Sequence, residues 1–517
     1  MSLIQVNHLS FCYESAFEPV FENVSFQIDT DWKLGLTGRN GRGKTTLLKL
    51  LEGKYSFTGT VKSSVRFQYF PFAVREEQRE TLQITEEIDP LCEFWKICRE
   101  LSLLGMDAEI LYRPFSSLSR GEQTKVMLAV LFAGDNQFLL IDEPTNHLDM
   151  EGRQMVMEYL NKKKGFILVS HDRYFLDGCV DHILAINKQN IEVMKGNFST
   201  WQAEKEKKDI SERSRNEKLK KDIRRLEGAA RQAGQWSDQV EKSKKGERAG
   251  GLRPDRGFIG HKAAKMMKRA KNIEGRMEAA VEEKKGLLKN IETAEELKLF
   301  PLRHRRERLV SMEDVSVFYS DFEKRILSGW NMEIKSGERI LLHGRNGCGK
   351  SSVLKAILRA ANGEGKASEK GKDISEEAFP DLGNLNMKGK IDLAPGIKIS
   401  YVPQDAAGLS GTLEEYARAH DLDETLFLAI LRKLDFARTQ FEKRMEDYSQ
   451  GQKKKVMLAG SLCQRAHLYI WDEPMNYIDI FSRQQIMELI QKYEPSMILV
   501  EHDRDFAESA ATRIIEI

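Results

Sequence analysis

The sequence predicts an α/β protein in which two copies of one domain, each built on a largely parallel sheet, are joined by a long antiparallel helical hairpin. Three observations carry the prediction. Motifs of the first copy return in the same order in the second, with Gly344 following its counterpart Gly38 by 306 residues, a period far too long for a solenoid. Within each copy, short β-branched runs bounded by Gly or polar residues alternate with helical patterns, as at Lys33–Thr37, Phe138–Ile141 and Phe166–Val169. Between the copies, apolar residues fall at three- and four-residue steps on two successive stretches.

The hairpin is placed over residues 202–302. Its first seam is Leu219, Ile223, Leu226, Ala230 and Ala233, and its second is Ala263, Met266, Ala270, Ile273, Met277 and Ala280. Between them lie Gly246, Gly250, Gly251, Pro254, Gly257 and Gly260, a cluster that cannot continue a helix and should turn the chain back on itself. Arms of about 30 residues would each reach about 45 Å. Residues 211–270 carry 18 Lys and Arg against 8 Asp and Glu, a net +10 in a chain whose total is +2. A rod of that charge suits rRNA and tRNA backbones, which it would neutralise without reading sequence, although a charged coiled coil is often just a solvated face.

The flanking copies are placed at 1–201 and 303–517. With 517 residues, 41% of them hydrophobic and 31% charged, the chain can bury more than one core. Apolar runs such as Val126–Ala133 are under half the ~20 residues that span a bilayer, and Met1–Gln5 shows no secretory pattern. The six cysteines form no C-x-x-C pair. A cytoplasmic protein with reduced thiols is expected. The copies differ in length mainly at 362–396, rich in Gly, Lys and Glu, which reads as an exposed, mobile insertion.

The repeated motifs carry phosphate chemistry. Gly38, Asn40, Gly41, Gly43, Lys44, Thr45 and Thr46 lie in one G-x-x-x-x-G-K-[ST] loop, and Gly344, Asn346, Gly347, Gly349, Lys350, Ser351 and Ser352 in its repeat. Each loop follows an apolar strand and precedes a helix, so backbone N–H groups and the helix dipole converge on a β-phosphate. Lys44 or Lys350 would then reach the β- and γ-phosphates, and Thr45 or Ser351 would bind Mg²⁺. Asp142 and Asp472 end apolar strands and suit the Mg²⁺ shell, while Glu143 and Glu473, one residue on, are placed to orient an attacking water. Ser119 with Gly121, and Ser449 with Gly451, open helices 23 residues before those aspartates, offering a hydroxyl and bare N–H groups to an anion.

The order of phosphate loop, Leu118-Ser-Arg-Gly-Glu-Gln123 signature, acid pair and histidine, present twice, resembles ATP-binding cassettes of the P-loop NTPase fold. Cassettes of this family pair head to tail, so the resemblance places one ATP between Gly38–Thr46 and Ser449/Gly451, and the other between Gly344–Ser352 and Ser119/Gly121. It also implies that His171 and His502 contact the γ-phosphate and that Tyr13 and Tyr319 stack on adenine. Gln404, after Pro403, matches the glutamine that joins the metal site. Five residues depart from the family pattern: Phe72 replaces that glutamine in the first copy, Arg120 and Gln450 replace a signature glycine, and Met475 and Tyr477 differ from Thr145 and His147. Two sites of unequal activity are expected.

Two cassettes on one chain, with no membrane domain and with a basic hairpin preceded by Gly196-Asn-Phe-Ser-Thr-Trp201, resemble the ABC-F family of ribosome-binding ATPases. The segments Arg113-Pro-Phe-Ser-Ser-Leu-Ser119 and Trp471-Asp-Glu-Pro-Met-Asn-Tyr477, and the end at Ile517, look like the Lsa-type antibiotic-resistance branch. That resemblance implies a monomer with intramolecular cassette pairing that binds the bacterial ribosome through large-subunit rRNA near the exit site. The hairpin tip would be driven toward the peptidyl-transferase centre, displacing lincosamides, pleuromutilins and streptogramin A compounds. Two other readings stay open: a housekeeping ABC-F translation factor, and the ATPase subunit of an exporter with a separate membrane partner.

Overall fold

The computed structural model describes residues 2–517 except 15–18, 91, 135–136, 147, 188–189, 244–264, 266–267, 269–275, 277–296, 320–324, 362–384, 407 and 437. The chain divides into two compact units, one of Met1–Ser199 with Ala294–Ile517 and one of Thr200–Thr293.

The first copy runs β1 (Leu3–Phe11), β2 (Phe21–Asp29), β3 (Lys33–Thr37), α1 (Lys44–Glu52), β4 (Thr58–Lys62), β5 (Arg66–Phe70), α2 (Thr81–Ile88), α3 (Phe94–Leu103), α4 (Arg120–Ala133), β6 (Gln137–Asp142), α5 (Met150–Asn161), β7 (Phe166–Val169), α6 (Arg173–Cys179), β8 (His182–Ile186) and β9 (Ile191–Lys195). Its strands form two sheets, β2-β1-β4 and β5-β6-β7-β3-β8-β9. The larger is parallel apart from its β8–β9 edge. The smaller is antiparallel, which the sequence reading did not anticipate. Burial explains the difference. All four residues of β7 are buried, as in a parallel sheet covered on both faces, whereas β2 mixes buried with exposed positions because one face meets solvent.

A single helix, α7 (Phe198–Ser243), then leads into the second unit. Its 46 residues would span about 69 Å, longer than the arm expected from the seam alone. Ile223 of that seam is buried and Leu219 is half-buried. Lys265, Lys268 and Arg276 are helical and exposed. The predicted turn and almost all of the returning arm lie outside the described residues.

The second copy runs β10 (Arg308–Tyr319), β11 (Arg325–Lys335), β12 (Arg339–His343), α8 (Lys350–Ala361), β13 (Leu385–Leu393), β14 (Ile399–Val402), α9 (Leu413–Ala419), α10 (Glu424–Lys433), α11 (Gln450–Cys463), β15 (Leu468–Asp472), α12 (Ile480–Tyr493), β16 (Met497–Val500), α13 (Arg504–Ala510) and β17 (Arg513–Glu516). It repeats the plan, with an antiparallel β11-β10-β13 sheet and a parallel β14-β15-β16-β12-β17 sheet. One expectation changes here. Strand β13 pairs with β10 as β4 pairs with β1, so 385–393 belongs to the shared fold and not to an insertion. Residues 362–384, the remainder of that stretch before the strand, lie outside the described residues.

Each parallel sheet positions a site. In the first copy β6, β7 and β3 are neighbours in register, so the segments leaving their C-terminal ends lie side by side. Those segments are the acid pair, the histidine and the phosphate loop. Leu34, Leu36, Leu47, Leu48, Leu140 and Ile167 are fully buried behind them and anchor the strands and α1. In the second copy Ile340, Leu342, Val353, Leu354, Ile470 and Ile498 do the same. No helix among the described residues is long and apolar enough to cross a membrane.

Candidate active sites

The phosphate loops are built alike. Gly43 caps α1 with φ 88° and no side-chain hydrogen bond, leaving the first N–H groups of the helix for a ligand. A Cβ there would come within 2.6 Å of Val20 Cγ1, so glycine is required by space as well as by φ. Lys44 folds back over the loop, donating to Gly38 O at 2.7 Å and Asn40 Oδ1 at 3.1 Å; Lys350 donates likewise to Gly344 O at 2.7 Å and Arg345 O at 2.8 Å. Burial holds the Lys44 ammonium below the ordinary lysine value, opposed by Asp479, Glu143 and Asp142. Thr45 Oγ1 donates to Asp142 Oδ2 at 2.7 Å, so the predicted metal pair already meets. Burial raises Asp142, against hydrogen bonds from Thr45 and Tyr69. Its counterpart Asp472 is pushed up to about 6 by burial and by Glu473, with the Ser351 hydrogen bond working the other way.

The two glutamates differ. Both adopt positive φ, 53° at Glu143 and 46° at Glu473, and each backbone N–H is held by the neighbouring strand, through Val169 O and Val500 O at 2.9 Å. His171 Nε2 stands 3.3 Å from Glu143 Oε1, and His502 Nε2 stands 3.5 Å from Glu473 Oε1. Burial and then the Asp142 charge push Glu143 up to about 8. Burial, with Lys44 and Arg483 close by, holds His171 well below the usual histidine range, so it is neutral at pH 7. Glu473 would also rise by burial, but the hydrogen bond and charge of His502, then Gln404 and Lys454, bring it down to about 2. Asn476 Nδ2 donates to its other oxygen at 2.6 Å.

The signature serines cap their helices. Ser119 Oγ accepts from Glu122 N at 3.3 Å and Ser449 Oγ from Gln452 N at 3.3 Å, each in a capping box. A hydroxyl that accepts in the cap keeps its proton to donate to an anion. Arg120 and Gln450 are exposed, and neither disturbs the cap.

The copies meet head to tail. Asn40 Nδ2 donates to Tyr477 O at 3.1 Å, Arg39 pairs with Asp435 at 3.4 Å and lies over the Phe481 ring, and a Cβ on Gly451 would come within 3.4 Å of Asn40 Nδ2. On the other side Arg345 pairs with Glu151 at 3.1 Å, and Asn346 N approaches Asp149 Oδ2 at 3.4 Å. A cleft of about 740 Å³ is lined there by Ser119–Glu122 of one copy with Asn346, Gly347, Gly349–Ser352, Gln404, Glu473 and His502 of the other. Tyr13 is half-buried, its hydroxyl 2.8 Å from Thr46 Oγ1 and its ring edge-on to Phe11 and Tyr55. The Tyr319 side chain lies outside the described residues.

The ABC transporter family model matches residues 21–146 and 327–476. The ribosome protection protein VmlR of Bacillus subtilis is 27% identical over 513 residues, covering 96% of this chain and 83% of its own. The ABC transporter F family member 5 of Arabidopsis thaliana is 26% identical over 553 residues, covering 96% and 72%. The chain belongs to the ABC-F family. It binds and hydrolyses ATP. Probable ATP-binding protein YheS of Escherichia coli K12 is 28% identical over 545 residues, covering 95% and 75%. Among solved structures, an RNase-L inhibitor superposes with a TM-score of 0.57 at 17% identity over 99% of this chain and 87% of that one. The archaeal ribosome recycling factor aABCE1, in complex with stalk protein aP1, gives 0.58 at 17% over 98% and 87%, and these two likenesses show the fold.

Several residues around the sites of this ABC-F protein escaped the sequence reading. Tyr69 donates to Asp142 Oδ2 at 3.0 Å beside the loop where Phe72 replaces glutamine. The departure of Met475 from Thr145 is one half of a pair. Thr145 Oγ1 and Ser170 Oγ lie 3.2 Å apart, whereas in the second copy Glu501 takes the place of Ser170 and accepts from Met475 N at 3.1 Å and His502 N at 2.8 Å. His147 lies outside the described residues. Lys455 and Asp479, 4% and 2% exposed, form a buried ion pair at 2.8 Å, and Lys455 also donates to Leu434 O at 2.7 Å. Asp479→Ala would leave that ammonium without its carboxylate, so a loss of about 3–5 kcal/mol is expected, read as a lower urea midpoint.

Proposed function

We propose that the chain is a cytoplasmic, ribosome-bound ABC-F ATPase of bacteria that protects the peptidyl-transferase region from lincosamides, pleuromutilins and streptogramin A compounds. One observation carries the reading. Similarity to a ribosome protection protein runs over 96% of the chain, through the basic interdomain segment as well as both cassettes. The charge of residues 211–270 supports binding to RNA backbones, rRNA or tRNA, and the resemblance to the Lsa-type branch implies large-subunit rRNA near the exit site.

In this reading Lys44 and Lys350 take the β- and γ-phosphates, the loop N–H groups cradle them, and Ser449/Gly451 and Ser119/Gly121 close on them from the opposite copy. Tyr13 and Tyr319 take the adenines. Glu143 and Glu473 hold the attacking water and accept its proton, each steadied by His171 or His502. A bound Mg²⁺ would supply neutralisation of the phosphate charge. Thr45 with Asp142, and Ser351 with Asp472 and Gln404, would hold it. The residues fit that role: Asp472 Oδ1 is buried without a hydrogen-bond partner, as an oxygen kept for a cation would be. Two residues at the first site and three at the second would leave the remaining positions to water and phosphate, as Mg²⁺ usually requires.

A housekeeping role in translation is the second reading, because YheS and the plant F family member, whose names do not mention protection, are 28% and 26% identical to this chain beside 27% for VmlR. Expression in a susceptible bacterium separates the two. Raised minimal inhibitory concentrations support protection; unchanged ones, with slowed growth on loss of the gene, support housekeeping. For the rod, ribosome affinity should fall steeply with salt. Replacing Lys218, Lys220, Lys221 and Arg224 with Gln should lower the log–log slope by roughly 0.7–0.9 for each residue that touches a phosphate. An unchanged slope would return the charge to a solvated face.

A further inference from the structure

Position 454 separates the two cassettes. Lys454 lies in α11, five residues after Ser449, and its counterpart five residues after Ser119 is Thr124. Thr124 uses its hydroxyl within its own helix, donating to Arg120 O at 2.9 Å. Lys454 reaches out of its helix. It is 2% exposed, and Nζ donates to Pro403 O at 2.8 Å, Gln404 O at 3.2 Å and Asp472 O at 3.2 Å. An ammonium has three donors and no acceptor, so these three carbonyls satisfy it fully.

The carbonyls belong to the segment that presents Gln404 and to the end of β15, which presents Asp472 and Glu473. We propose that Lys454 is a positioning residue for ATP hydrolysis at the second site, locking the Gln404 segment to the strand end that carries the metal aspartate and the catalytic glutamate. The proposal rests on the roles given above to Gln404, Asp472 and Glu473. Burial of the ammonium pulls its pKa down to about 8, opposed by Asp472, then Glu473, Glu501 and Asp405. Its positive charge therefore offsets carboxylates gathered behind the second site, and nothing comparable stands at Thr124. The first cassette lacks both halves of the arrangement, since Phe72 occupies the place of Gln404.

The lock links two segments that must hold their separation while a water is aimed, and a displacement of about 1 Å costs roughly 100-fold in rate. Lys454 touches no group proposed to bind nucleotide, so KM should stay while kcat falls. The test uses the full chain with Glu143→Gln, in which second-site turnover is read alone. Adding Lys454→Met should lower kcat by on the order of 100-fold, with KM for ATP unchanged within experimental error. Lys454→Gln, which keeps two donors for the three carbonyls, should fall between Met and Lys. In the converse chain with Glu473→Gln, Lys454→Met should leave first-site turnover intact, which also reports that the protein is folded. Retention of kcat by both variants overturns the proposal, and so does equal loss at both sites. Turnover surviving in the Glu143→Gln/Glu473→Gln chain would instead overturn the catalytic assignment beneath it.

Discussion

Glu143→Gln combined with Glu473→Gln is expected to lower ATP turnover by roughly 10²–10⁴-fold while leaving ATP binding in place. The amide keeps the volume and the hydrogen-bonding reach of the carboxylate but cannot take the proton of the attacking water. Phosphate binding is untouched, because the loops, Lys44 and Lys350 are unchanged. The single variants separate the sites by pH. kcat/KM reports the free enzyme, and there Glu143 is protonated below about 8 while Glu473, at about 2, is ionised throughout the working range. With Glu473→Gln, where Glu143 alone works, kcat/KM should rise about tenfold per pH unit between 6 and 7.5 and level off above 9. With Glu143→Gln, Glu473 should impose no such rise over the same range. A flat profile in the Glu473→Gln chain would remove Glu143 as the base of the first site.

That inequality was half-legible in the sequence. Phe72 in place of glutamine announced that the first site differs, and the phosphate loops, acid pairs and histidines were all visible because each is a short run of residues whose spacing is the function. Their placement at adjacent strand ends followed from a parallel sheet. What stayed hidden depends on residues far apart in the chain. Asn40 and Tyr477 are 437 residues apart, and Arg39 meets Phe481 only because the copies face each other. Lys454 looked like one more base in Lys453-Lys454-Lys455, yet it and Lys455 are buried with different partners. A helical wheel of α11 against the motif alignment of the two copies would have shown Lys opposite Thr124 on an inward face. Met475 against Thr145 read as an isolated departure, although Glu501 exchanges with Ser170 beside it. The antiparallel sheets were missed because strands such as β2 mix charge and apolar residues, and a period of two over a few residues is a weak signal beside the solid runs of β7.

The second large effect is expected at the loop between the arms, which lies outside the described residues. A drug at the reaction centre can be displaced by direct contact or by shifting rRNA, and either needs a segment carried far from the cassettes. The helix of 46 residues has the length for that, about 69 Å. Gly250, Gly251 and Pro254, with Phe258 and Ile259 following, give a stretch poor in residues that could build a core of its own, so its shape would be set by what it touches. Deleting 250–257 should therefore leave ATP turnover and most ribosome affinity intact, because the cassettes and the basic arm residues survive, yet abolish protection from lincosamides and pleuromutilins. Drug susceptibility and ATPase assays on the same deletion chain read the two halves of the expectation separately. Full protection by the deletion chain would show that the loop is not the effector and that displacement works through another part of the protein. Loss of ribosome binding along with protection would move the loop from effector to anchor. A wild-type chain that protects against no drug would favour the housekeeping reading.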